Sequence, residues 1–280
     1  MKTELLAMIV SHGRPDKVIT LEALRKHGWT GPVCILIDNE DPTGDRYRAN
    51  YPGLVQVFDK AAIAARIDDG DNFGRRGVVY ARNAAFDVAQ AMSYRYFIVL
   101  DDDYTAFWHK RDAEGTFVNG WKVRDLDAVL GAMLDWFKTI PALSIAMAQT
   151  GDFPGGVECG TRYQLKRKAM NSFLCDTERR FEFVGRVNED VNAYISLSPL
   201  GHLFFTVQDV ALMQVTTQKS AGGMTDLYLE SGTYVKSFYT VMYHPSATRV
   251  GFDPAVNRIH HRLRWRFTGP CILHEQTRKT

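Results

Sequence analysis

Three consecutive carboxylates, Asp101-Asp102-Asp103, directly follow the uncharged run Tyr96-Phe97-Ile98-Val99-Leu100. A short, continuously apolar run of this kind reads as a strand buried on both faces, as found inside parallel sheets. Three adjacent acids at its end repel one another. A hard divalent cation, Mg²⁺ or Mn²⁺, would offset that repulsion and share its remaining positions with phosphate oxygens. The same triplet would also suit a solvated turn that caps a helix. In open α/β sheets ligands bind beyond the carboxyl ends of the strands, and this is where the triplet stands.

The chain around the triplet reads as such a sheet. Residues 5–10 form a buried strand that runs into Ser11-His12-Gly13-Arg14-Pro15. Val18, Leu21 and Leu24 follow at helical spacing, with Pro15 suited to the first turn and His27-Gly28 closing the helix. Residues 33–37 and 54–58 are further strands, the first stopped by Asp38-Asn39-Glu40-Asp41-Pro42. Residues 66–77 read as a polar loop and 78–92 as a helix. This β-α-β order favours parallel pairing through crossovers. Beyond the triplet, 123–137 reads as an amphipathic helix, 143–148 and 203–209 as strands, 151–160 as a Gly-rich loop, and 173–183 as a weakly alternating segment. A helix opens at 189–194. From Gly222 onward the chain is rich in Tyr, Gly and basic residues, with few periodic signals.

Several polar groups invite chemistry. Asp38 could accept hydrogen bonds from a ribose or a base, or form an Asx turn before Pro42. Arg14, Arg75, Arg76 and Arg82 suit a diphosphate through their planar, bidentate forks, although any one of them could simply be solvated. Arg82 sits among alanines on a helix facing the sheet. Glu189-Asp190 opens a helix, where acids favour the dipole, and a carboxylate there could also serve as a general base. His260-His261 lies among Arg258, Arg262, Arg264, Trp265, Arg266 and Phe267. An imidazole could complete a metal site. Arginines interleaved with aromatics also fit a nucleic-acid surface, or a basic solvated segment.

Composition narrows the class. The chain has 280 residues, 45% hydrophobic and 24% charged, which fits one α/β unit with two lobes. The net charge of +2 hides an asymmetry: residues 1–160 carry 18 Lys and Arg against 22 Asp and Glu, and residues 161–280 carry 16 against 10. A basic C-terminal half suits a polyanionic partner. No apolar run approaches the roughly 18 residues that span a bilayer, and Met1-Lys2-Thr3-Glu4 does not open a signal peptide. Cys34, Cys159, Cys175 and Cys271 lack paired spacing, which argues against a zinc or disulfide framework and for a reducing cytoplasm.

The order of these features resembles the GT-A glycosyltransferases over most of the chain. The resemblance implies a Rossmann-like α/β fold, with a mixed, mostly parallel sheet flanked by helices in a single domain over 1–280. Residues 1–110 would be the nucleotide-sugar lobe and 111–280 the acceptor lobe. It implies Asp101 and Asp103 as metal ligands helped by His260 or His261, with Ser11, Arg14 and Asp38 binding the nucleoside; Arg76, Arg82 and Asp102 are expected beside them as further donor-binding residues. Asp190 or Glu189 would be the catalytic base, and the donor a UDP-sugar held with Mn²⁺ or Mg²⁺.

The stretches Asn171-Ser172-Phe173, Gly185-Arg186-Val187-Asn188-Glu189-Asp190-Val191-Asn192, Gly223-Met224-Thr225-Asp226, Ser231-Gly232-Thr233-Tyr234-Val235-Lys236-Ser237 and Arg258-Ile259-His260-His261-Arg262 are similar to the TET-associated glycosyltransferases of bacteriophages. That narrower resemblance implies sugar transfer to a hydroxymethylated pyrimidine in DNA, 5-hydroxymethylcytosine foremost, in the cytoplasm of an infected host. Arg262, Arg264 and Arg266 would meet the DNA, and the target base would be reached in the groove or flipped out of the stack. The competing readings are a glycosyltransferase with another acceptor, a nucleotidyltransferase, and a DNA-binding protein without catalysis. No phosphate-cradling Gly-rich signature near the first strand supports the second, and the acidic N-terminal half opposes the third.

Overall fold

Every residue of β1 (Leu5–Val10) is buried, and alternate side chains enter two different cores. Leu5, Ala7 and Ile9 share one core with Ile35 and Ile37 of β2 (Val33–Asp38) and with Ile98 and Leu100 of β4 (Tyr96–Asp101). Leu6, Met8 and Val10 share the other with Cys34, Leu36, Phe97 and Val99. Helices cover both faces of the sheet, and this is why these strands are apolar at nearly every position. Against the first face pack α1 (Ile19–Lys26) and α5 (Leu126–Thr139). Asp125 caps α5 by accepting from Ala128 N at 2.9 Å, and Leu126, Leu130, Met133, Leu134 and Phe137 form its buried stripe. Against the second face pack α3 (Lys60–Ala64), α4 (Val79–Ala91) and α6 (Glu189–Leu197), through Ile63, Phe86, Val191 and Ile195. The short α2 (Gly44–Asn50) contributes Tyr47 to the first core.

The computed structural model describes residues 4–70, 74–153, 166–214, 225–254 and 257–269. Its remaining strands are β3 (Val55–Phe58), β5 (Tyr104–Arg111), β6 (Phe117–Lys122), β7 (Ala142–Gln149), β8 (Ser172–Asp176) and β9 (Leu203–Gln214). They form a nine-stranded sheet in the order β3-β2-β1-β4-β8-β7-β9-β5-β6. Among the described residues β5 and β8 run against the other seven strands, so the sheet is mixed and mostly parallel. After β9 come α7 (Thr225–Tyr243) and an antiparallel ribbon of β10 (Thr248–Asp253) and β11 (Arg258–Leu263), which packs on α7.

Four local expectations need correction. Pro15 precedes α1 instead of starting it, because Arg14 O accepts from Lys17 N in a turn before Ile19. The helix expected from residue 123 begins at Leu126, since Val123 is still extended and donates to Phe107 O. Within 173–183 the strand stops at Asp176, whose carboxylate takes Glu178 N at 2.9 Å and turns the chain. The stretch after Gly222, read as weakly periodic, contains a 19-residue helix and a ribbon. Cys34 and Cys175 are buried free thiols, pushed up to about 12 by burial. Cys159, Cys271, Gly223-Met224 and most of the Gly-rich loop at 151–160 lie outside the described residues. No helix among the described residues is long and apolar enough to cross a membrane.

Candidate active site

The acid triplet leaves β4 in a turn held from α1. Thr20, fully buried, donates its Oγ1 to Asp101 O at 2.6 Å and its N–H to Asp102 O at 3.1 Å, and it accepts from Tyr104 N at 2.8 Å. The turn sends the three carboxylates to three different places. Asp101 meets Arg82 Nη2 at 3.1 Å. Asp102 is buried and points back to the β1 loop, where it accepts from Ser11 Oγ at 2.5 Å and Arg14 Nη1 at 3.1 Å. Asp103 accepts from Gln214 Nε2 of β9 at 3.0 Å. Burial raises all three pKa values against these hydrogen bonds. Asp103 is pushed up to about 7, by burial first and then by the charges of Asp101 and Asp102.

Arg82 ties the triplet to α6. It is among the largest fully buried side chains, and its Nη1 stands 2.8 Å from Glu189 Oε1 while Nη2 holds Asp101. The guanidinium lies over Phe173, 4.9 Å from the ring centroid. Its Nε and Nη1 have no acceptor in hydrogen-bonding geometry among the described residues. Burial opposes its charge, but Glu189, Asp101 and Asp190 outweigh burial and raise its pKa. Glu189 is pushed up to about 7 by burial, with Arg82 opposing and Asp190 adding to the rise. The neighbouring Asp190 makes no side-chain hydrogen bond or ion pair among the described residues.

The start of α6 is fixed from outside. Asn188 takes the left-handed conformation at φ +56°, which Asn tolerates, and its Nδ2 donates to Lys236 O at 2.8 Å and Thr240 Oγ1 at 3.0 Å on α7. Gly185, at φ +80°, leaves no room for a side chain: a Cβ would stand 2.6 Å from Asn192 Nδ2 and 2.7 Å from Tyr243 Cε2. Gly185 N and Arg186 N donate to Asp68 O at 2.8 Å and Asp69 O at 3.0 Å, which docks the loop before α4 onto the same turn.

On the other side of the triplet, the β1 loop lies against the end of β2. Gly13 N donates to Asp41 Oδ2 at 2.7 Å, and Tyr47 OH is 2.7 Å from Ser11 Oγ and accepts from Arg14 N at 2.9 Å. Asp38 is engaged by His12 Nδ1 at 2.7 Å and Lys60 Nζ at 3.3 Å. Burial would raise Asp38, yet His12 and Lys60 prevail and its pKa is lowered. His12 is raised by its hydrogen bond to Asp38, against burial. A hollow lined by Ile37, Asp38, Asn39, Asp41, Pro42 and Gly44 opens beside this cluster. His12, with 44% of its side chain exposed, is the group this cluster turns outward. No sequence pattern gives His12 a role, and its contact with Asp38 is what singles it out. Arg75 pairs with Glu40 at 2.5 Å, and Arg76 is exposed ahead of α4.

The C-terminal candidates stand on the ribbon and just beyond it. His260 and His261 have ring centroids 4.4 Å apart, and His261 is pushed down to about 4 by burial, His260 and Lys236. Among the described residues no three His, Cys, Asp or Glu groups stand close enough to hold a metal, so Asp101, Asp103 and a β11 histidine do not form a ready-made set. Arg262 donates to Phe252 O at 2.7 Å, and Arg264 and Arg266 lie over Phe267 at 4.7 and 4.5 Å. Trp265 stacks on Tyr194 of α6, with centroids 5.9 Å apart.

The sequence matches the family model of TET-associated glycosyltransferases over residues 6–223. The chain belongs to this family. It is accordingly a glycosyltransferase, and the matched span contains the β1 loop, the acid triplet, Arg82 and Glu189-Asp190 but not the β10–β11 ribbon. No curated protein matches it significantly. Among solved structures, glucosyl-3-phosphoglycerate synthase from Mycobacterium tuberculosis in complex with Mg²⁺ and UDP is similar with a TM-score of 0.46 and 10% identity, over 92% of this chain and 87% of that one. The same synthase with Mn²⁺ and UDP-glucose gives a TM-score of 0.46 and 10% identity over 92% and 86%. TarS 1–349 of S. aureus gives 0.39 and 11% over 76% and 59%.

For this glycosyltransferase, then, the structure joins Ser11 and Arg14 to Asp102, and Asp101 to Glu189 through Arg82. Arg82, expected on the donor diphosphate, contacts protein carboxylates with both ends of its fork. Asp38 is likewise occupied by protein cations.

Proposed function

We propose that the chain transfers a sugar from a UDP-sugar, held with Mn²⁺ or Mg²⁺, onto a hydroxymethylated pyrimidine in DNA, with 5-hydroxymethylcytosine the first acceptor to test. The observation that carries this reading is the Arg82 clasp. It takes Asp101 and Glu189 as partners, leaving Asp103 with only an amide partner and Asp190 with none among the described residues. Five carboxylates, Asp101, Asp102, Asp103, Glu189 and Asp190, gather around two guanidinium groups, Arg14 and Arg82. The donor set is all oxygen, which fits a hard divalent cation held by Asp103, with Asp101 sharing its carboxylate between that cation and Arg82. A bound cation would neutralise the diphosphate and make it a better leaving group.

The protein groups do the rest. Asp102 holds Ser11 and Arg14 in the β1 loop, and Arg14 supports the diphosphate electrostatically. His12 and the hollow at the end of β2 receive the nucleoside. Asp190 takes the proton of the acceptor hydroxymethyl group as its oxygen attacks the anomeric carbon. Glu189, held by Arg82, fixes the helix start that presents Asp190. The family's name and the basic C-terminal half support a DNA acceptor, with Arg262, Arg264 and Arg266 as its contacts.

The test is incubation of duplexes containing 5-hydroxymethylcytosine, 5-hydroxymethyluracil or unmodified bases with Mn²⁺ and a panel of UDP-sugars, followed by mass spectrometry of the digested nucleosides. A hexose-sized mass increase on the hydroxymethylated nucleoside alone is expected. UDP-sugar turnover onto a non-DNA hydroxyl acceptor, with no modified nucleoside, would refute the DNA acceptor.

A further inference from the structure

The β10–β11 ribbon has an inward side and an outward side. Thr248 is buried, Leu263 packs against the second core, and His261 is half-buried beside α7. Strand alternation places Arg249, Gly251 and Arg262 on the opposite side, where both arginines are exposed. Arg249 and Arg262 are direct cross-strand partners. Like charges directly opposite one another destabilise a sheet, and among the described residues no carboxylate is bonded to either: Arg262 donates to a backbone carbonyl, and Arg249 has no hydrogen bond or ion pair there. Gly251 leaves the surface open, so that the Arg262 side chain lies over it, with Cδ and Nε each 3.4 Å from where a Cβ would be. Arg264, exposed, continues the row one step beyond β11.

We propose that this outward face, with Arg249 and Arg262 paired across it and Arg264 extending the row, is where the sugar-phosphate backbone of the duplex acceptor lies. The inference rests on the DNA-acceptor reading above and adds Arg249, the cross-strand pair and the path of the backbone. An anion between the two arginines turns their repulsion into attraction. Alternate residues of an antiparallel strand are about 6.8 Å apart. Phosphates of one DNA strand advance by about 3.4 Å along the axis. Because the strand also winds around that axis, successive phosphates stand roughly twice that rise apart, so alternate arginines are spaced for successive phosphates. The ribbon also shares its supports with the acid pair. Ser237 of α7 donates to Ile259 O at 3.0 Å, while α7 also holds Asn188. Trp265, just past the ribbon, stacks on Tyr194, one helical turn along α6 from Asp190. A backbone held on the ribbon thus runs beside the helix that carries the proposed base.

The experiment is fluorescence anisotropy of a labelled hydroxymethylated duplex with the full chain at a series of salt concentrations, together with UDP binding by calorimetry. Each phosphate contact contributes about 0.9 to the slope of log K against log salt. The double variant Arg249→Gln/Arg262→Gln should therefore have a slope shallower by about 1.8. Between about 50 and 200 mM salt the wild type should lose about twelvefold more affinity than this variant. Arg249→Lys/Arg262→Lys should keep the wild-type slope. So should the charge-matched control Lys26→Gln/Lys122→Gln, and UDP affinity should be unchanged in all three. A wild-type slope in the Gln double variant overturns the ribbon as the DNA track and leaves the DNA reading standing. Loss of UDP affinity with unchanged DNA binding assigns the pair to the donor and also overturns it. No DNA binding by the wild type, despite turnover of a UDP-sugar onto another acceptor, overturns the DNA reading itself and this inference with it.

Discussion

Arg82→Met is the most demanding test of the site. Methionine keeps much of the volume between Phe173 and Phe183 but removes the cation that, among the described residues, meets both Asp101 and Glu189. Removing one partner of a buried ion pair destabilises a protein by about 3–5 kcal/mol. Two carboxylates lose their partner here, so the upper part of that range is expected at slightly alkaline pH. The pH dependence carries a sign that packing loss does not. Glu189 is already pushed up to about 7 in the folded chain, from an ordinary 4.5. A carboxylate raised in this way contributes stability that is fully present below its unfolded pKa and is lost as pH rises through its folded pKa. Without Arg82 the folded value rises further. Below about pH 7 Glu189 is protonated in both folded proteins, so the deficit of the variant should be small near pH 5, open above about pH 7 and keep growing toward the variant's own, higher folded value. Urea denaturation of both proteins across that range measures it, and Arg82→Met/Glu189→Gln should recover part of the loss at high pH. A deficit under about 1 kcal/mol at pH 8, or one equal at both ends of the range, would show that Arg82 is only packing.

Three further outcomes follow from the same geometry. Asp103→Asn should abolish metal-dependent transfer and yet leave the protein at least as stable near neutral pH by thermal melting, because it removes an acid that burial and its neighbours push up to about 7. Asp190→Asn should lower kcat by about 10²–10⁴-fold with UDP affinity and Tm unchanged. A loss of about 1 kcal/mol in Asp190→Ala with full turnover would instead mark a helix-terminus role. His12 is raised by its hydrogen bond to Asp38, so its contribution is complete below the ordinary value of 6.5 and fades as pH rises through the raised one. Melting temperatures of His12→Asn should lack that alkaline decline, and UDP affinity should fall.

How much of this was legible in the sequence depended on whether burial left a pattern. β1, β2 and β4 are packed on both faces, so continuous apolar runs marked them. Tyr104–Arg111 also forms a strand, but it alternates only loosely and ends in His109-Lys110-Arg111, so it carried no such mark. The helix Thr225–Tyr243 is harder still, because its polarity is partly inverted. Ser237 and Thr240 are buried to hold the ribbon and Asn188, while Tyr234, Phe238 and Met242 are exposed. Hydrophobic periodicity finds helices that bury apolar faces, and it misses one whose inward contacts are partly hydrogen bonds.

The site shows the same limit at the scale of single residues. Asp101, Asp102 and Asp103 are chemically identical, and a strand end in a parallel sheet was enough to mark them as a group. Their division of labour comes from the turn that Thr20 fixes. One carboxylate goes to Arg82, one back to Ser11 and Arg14, and one toward β9. Arg82 stands out in the sequence for its alanine-rich helix, yet its partner Glu189 lies far along the chain, at the start of α6. Only the stacking of α4 and α6 on one face of the sheet brings them together. The motif therefore names the chemistry, while Thr20 and Arg82, neither of them part of it, decide which acid is left for the cation and which for the proton.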